Sequence, residues 1–171
     1  MIITSILFNS CDNNDSTDCT GIDCLPPITQ TGAGTFGCLV NGEPFFSFGE
    51  VNCKYQLING SYEFIVGFDR MSGFPIDMSI LSNRQSISES TFQFTNCDVN
   101  NSYCANVVFV SNLQEIIFND TDNQNSGSVT FNNFDETNQI VSGTFEFEIL
   151  NPADNQIYQI TEGRFDSFYA R

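Results

Sequence analysis

Seven cysteines and no histidine in 171 residues set the chemistry open to this chain. A nucleophilic Ser or Cys would lack its usual imidazole base, and Cys-His metal spacing cannot occur. A Ser-Lys dyad would rest on Lys54, which follows Cys53 on an expected strand and reads as an exposed strand residue. The 21 acids could supply a carboxylate pair for glycoside hydrolysis, yet nothing in their spacing fixes two of them at a working separation. Glu146 and Glu148 merely share a strand face. No catalytic residue is assigned, and the chain reads as non-enzymatic.

The cysteines fit disulfides, with one left over, and disulfides imply an oxidising compartment. Six cysteines allow fifteen pairings, so spacing alone assigns none. Local pairing is preferred here: Cys19 with Cys24, Cys38 with Cys53, Cys97 with Cys104. The last pair would join facing strands of one hairpin.

Oxygen ligands gather in the run 119–127, where Asp120 and Asp122 are the candidates for Ca2+. The glycine is misplaced for an EF-hand loop and no Glu follows at the bidentate position, so a polar turn is expected, with Ca2+ the alternative. No other cofactor or metal is expected. A net charge of -16 excludes nucleic acid as a partner, since phosphate recognition draws its affinity from clustered Lys and Arg. Gly32, Gly34 and Gly37 lack the spacing of a phosphate cradle and read as an entry to a sheet edge.

The elements that must position these groups are short strands. Phe36–Val40 forms the first, turning at Asn41-Gly42, and strands 53–58 and 62–68 flank Asn59-Gly60, the strongest hairpin signal in the chain. Further strands are expected at 76–81, 91–96, 103–110, 114–118, 127–134, 140–150, 156–161 and 164–169. In Thr144 to Ile149 strict alternation puts Phe145, Phe147 and Ile149 on one face and both Glu on the other, the pattern of a half-buried antiparallel strand. No segment carries an amphipathic helix of three turns. The expectation is a single all-β domain of about ten strands over residues 31–171, an antiparallel β-sandwich or β-barrel.

Before that domain come two segments of other character. Residues 12–30 are polar, end in Pro-Pro and have no hydrophobic period, as a flexible or disordered tether would. Residues 1–11 hold an apolar run too short to span a bilayer. Their ending, Leu7-Phe8-Asn9-Ser10-Cys11, resembles the close of a bacterial lipoprotein signal, in which small residues and Cys mark cleavage and lipid attachment. The resemblance implies Cys11 as the lipidated residue, which accounts for the odd cysteine. Asp15-Ser16-Thr17 resembles the short motif at which Bacteroidetes O-glycosylate exported proteins, which would place a glycan on Ser16; a bare polar linker is the plainer alternative.

The entry GTFGCLVNGEPF and the exit IVSGTFEFEIL and ITEGRFD together resemble a family of uncharacterised Bacteroidetes lipoproteins, described only as a domain of unknown function. The likeness covers both ends of residues 25–169. It implies an exported all-β domain, lipid-anchored in the outer membrane on its periplasmic or cell-surface face, and it implies no activity. The reading is a membrane-anchored binding or structural accessory with a protein or glycan partner. The alternative is a lipocalin-like carrier, its seventeen domain Phe lining a cavity for a small apolar ligand.

Overall fold

The computed structural model describes residues 19–49, 51–69, 77–110, 115–124 and 127–171. Among them are eleven strands: β1 (Thr35–Val40), β2 (Glu43–Phe48), β3 (Asn52–Ile58), β4 (Ser61–Asp69), β5 (Asp77–Asn83), β6 (Thr91–Gln93), β7 (Ser102–Val110), β8 (Ile116–Asp120), β9 (Gly127–Asp135), β10 (Ile140–Asn151) and β11 (Gln156–Phe168). They form two antiparallel sheets. One has six strands in the order β2-β1-β11-β10-β9-β6, the other five in the order β3-β4-β5-β7-β8.

The sheets pack as a sandwich whose sides are laced together. Beyond β11 the chain crosses to the second sheet, where Tyr55 N–H donates to the Ala170 carbonyl at 2.8 Å and Ala170 N–H to that of Cys53 at 3.0 Å. Beyond β6, Phe94 bridges to Tyr103 of β7, and Thr95 N–H donates to the Tyr103 carbonyl at 2.9 Å. Two edges that would otherwise offer free ladder groups are thereby partly occupied.

Two-residue turns set the first hairpins. Asn41 and Gly42 have φ of 50° and 87°, Asn59 and Gly60 of 50° and 82°, the left-handed pair that matches strand twist in a tight hairpin. Between the sheets lies a core of aromatic rings. Phe131 meets Phe64 at 5.4 Å, Tyr103 at 5.6 Å and Phe165 at 5.9 Å, and Phe92 stacks on Tyr103 at 4.3 Å between centroids. Phe36, Phe145 and Phe165 continue the cluster. The rings that a carrier would spread around a void touch one another across the midplane.

Three expectations about elements are corrected. Residues 43–48 form an edge strand, β2, opposite β1. Its Pro44 cannot donate to a ladder, and an edge position lets that missing donor face away from the partner. The run 156–168 is one strand, where two were expected. A bulge at Thr161–Gly163, with Glu162 at φ 55°, interrupts its register against both β1 and β10 without breaking it. The tether also ends sooner than residue 30. Residues 21–24 form a 3-10 helix, and Cys24, Leu25 and Pro26 are buried against the domain.

Candidate functional site

Residues 19–34 form a strap across the outer face of the six-stranded sheet, and three devices hold it there. The first is the Cys19–Cys24 disulfide, which closes the 3-10 turn beside β1 and β2. The second is Pro26, seated where Gly37 of β1 has no side chain. A Cβ on Gly37 would lie 2.8 Å from the Pro26 ring, so glycine here is a requirement of contact. The third is Asp166 of β11, whose carboxylate is 1% exposed.

Asp166 gathers the strap by hydrogen bonds. Its Oδ2 accepts from Thr29 Oγ1 at 2.6 Å, Thr31 N–H at 2.9 Å and Ala33 N–H at 3.2 Å, and its Oδ1 accepts from Gly32 N–H at 2.8 Å. Burial pushes this carboxyl up, but the bonds from Thr29, Thr31, Gly32 and Ala33 outweigh it and hold the group below the ordinary carboxylate range. A buried charge is tolerated where converging N–H and O–H donors replace the water it gives up, and here both carboxylate oxygens accept. The chain then turns into β1, with Gly49 N–H donating to the Gly34 carbonyl at 2.6 Å.

Beside the strap the same outer face is open. Two adjoining grooves, of about 250 and 500 Å³, run over β9, β10 and β11 and share Ser128 and Glu146. Thr130 and Thr144 floor one, with Ile28 of the strap as a wall; Glu148, Gln159 and Thr161 line the other. Arg164 reaches back to Glu162, Nη2 to Oε2 at 3.0 Å and Nε to the carbonyl at 3.0 Å. The surface is one of hydroxyls, amides and carboxylates, suited to polar hydrogen-bonding partners.

The motifs at the two ends of the chain meet on this sheet. Phe36 pairs with Phe165, Gly37 with Arg164 and Gly143 with Phe165, so the entry and both exit motifs are three adjacent strands. Each glycine admits a ring: a Cβ on Gly143 would lie 2.6 Å from the Phe165 ring, and one on Gly163 2.4 Å from that of Phe145.

The cysteines divide. Cys19–Cys24 and Cys97–Cys104 are disulfides, but the second does not join facing strands of one hairpin: Cys97 lies in the connection after β6 of the six-stranded sheet, and Cys104 on β7 of the five-stranded one. Cys38 and Cys53 are not joined; both are buried free thiols. They stand on β1 and β3, strands of opposite sheets. Cys38 Sγ instead lies 3.6 Å from Met78 Sδ. Burial pushes both thiols up, away from the thiolate that nucleophilic or metal chemistry needs. Removing the other bridge with Cys97→Ala and Cys104→Ala is expected to cost about 2.5 kcal/mol by chain entropy. Denaturant unfolding reads it, and an unchanged midpoint would mean that the bond constrains nothing.

Asp120 Oδ1 accepts from Asn106 Nδ2 of the neighbouring β7 at 2.7 Å, and Asp122 Oδ1 from Gln124 N–H of its own turn at 2.7 Å. Among the described residues no group of three metal-ligating side chains comes together. Lys54 is exposed on β3, while Glu146 and Glu148 face the grooves. Cys11 and Ser16 lie outside the described residues.

Sequence reasoning missed Asp166 and Pro26. The acid ends a strand and looks solvated until its partners, 133 to 137 residues earlier, are placed beside it. The one available signal was that GTFGC and GRFD each carry a glycine two residues before a core Phe. Comparison of the chain with family models, with curated proteins and with solved structures finds no match.

Proposed function

We propose that this chain is an exported, lipid-anchored accessory domain of the outer membrane that binds a protein or glycan partner and performs no catalysis. The docked strap carries the reading. The segment following the expected tether is fixed to the middle of a sheet by a disulfide, a buried proline and a buried carboxylate, as the mount of an anchored domain needs to be. The resemblance of residues 7–11 to a lipoprotein signal supports Cys11 as the anchor point, and more than one acyl chain there would give stable attachment.

Partners would be met by what the strap leaves open. The tip of the β3-β4 hairpin presents Leu57 and Ile58, with Tyr62 stacked on Tyr55 at 4.8 Å, an amphipathic platform of the kind that sugars and protein surfaces both use. Cys11→Ser is expected to move the protein from the membrane to the soluble fraction while its thermal unfolding stays unchanged. Retention in the membrane fraction would end the anchor reading.

A further inference from the structure

We infer that the strap face rests on a zwitterionic lipid surface, an inference that itself rests on the lipid-anchor reading. Ile22, Ile28, Phe48 and Phe168 are 49%, 61%, 60% and 58% exposed. All four surround the strap. Ile22 belongs to the 3-10 turn packed on β2, and Ile28 stands over Thr144 and Arg164. Phe48 ends β2 edge-on to Phe46 at 5.6 Å, and the Phe168 ring covers Gly32. Single exposed apolar residues need no explanation, but four around one attachment point form an apolar rim.

Chain length selects the occupant. From Cys11 to Cys19 the chain spans at most roughly 27 Å when fully extended, so a lipid on Cys11 holds the strap, where the described chain begins, within that reach of the bilayer. Charge selects the headgroup. Glu146, Glu148 and Glu162 line the grooves beside the rim, and Arg164 is already bound to Glu162. Carboxylates there repel anionic lipids and complement the ammonium of phosphatidylcholine or phosphatidylethanolamine, while the rim enters the acyl boundary.

The chain has no Trp, so each introduced Trp is a unique reporter. The full lipidated protein carrying Phe48→Trp or Phe168→Trp is placed on phosphatidylcholine vesicles with brominated acyl chains. A third variant, Phe118→Trp, reports from the 68% exposed position on β8 of the other sheet. Emission from the first two is expected to fall to roughly half of its value on unbrominated vesicles, with the third unaffected. Flotation with the vesicles but equal quenching at all three sites would overturn the lipid-facing surface and leave the anchor standing. Failure to float would overturn the anchor and this inference with it.

Discussion

Replacing Asp166 by Asn is expected to lower the unfolding free energy by roughly 3 kcal/mol at neutral pH, because a buried charged acceptor becomes an amide whose N–H groups confront other donors. The shape is kept, so the loss reports charge and hydrogen bonding. The pH dependence separates this from generic damage. A carboxylate held below its unfolded pKa stabilises the native state above that value, near 4, and loses the contribution as pH falls through the folded pKa. Wild-type stability should therefore decline below about pH 4 by a component that Asp166→Asn lacks. Asp135 is also held low, by bonds from Asn138 and Thr137, but it titrates in both proteins and cancels in the difference. Superimposable stability-against-pH curves would remove the clamp from the account.

A larger loss is expected in the core. Phe131→Ala should cost about 4 kcal/mol, or roughly 10 °C in Tm for a domain of this size. Phe131 is 2% exposed and touches Phe64, Phe92, Tyr103 and Phe165, rings drawn from both sheets and the short β6. Those neighbours sit on different strands, so they cannot close the gap together without moving backbone. A cost below about 1 kcal/mol would mean that the inner faces already enclose space, the condition a carrier requires.

Much of this architecture was legible because it is local. Asn59-Gly60 needs only its own backbone to turn, and the alternation of Thr144 to Ile149 reports its own two faces, so β3, β4 and β10 lie where the pattern puts them. What was illegible depends on distant neighbours. Pro44 looks like a strand breaker until β2 is known to be an edge. Glu162 and Gly163 read as a turn, and only pairing with β1 and β10 together makes them a bulge. The polar run 19–30 looks unable to pack, yet a disulfide, one proline and a carboxylate 137 residues away from Thr29 are enough to dock it. Cys38 and Cys53 failed as a pair for a related reason: proximity along the chain said nothing of the neighbour each thiol would meet, and Cys38 packs on Met78.

The Cys19–Cys24 bond has a mechanical consequence. Any pull on the preceding segment enters at Cys19, and the bond carries the load past the turn, withholding the roughly 17 Å of slack that 5 residues of extended chain would release. The force then falls broadside on a sheet at Pro26 and Asp166. Pro26 seats on β1 and Asp166 belongs to β11, each flanked by a strand on either side, so neither can be peeled away from an edge.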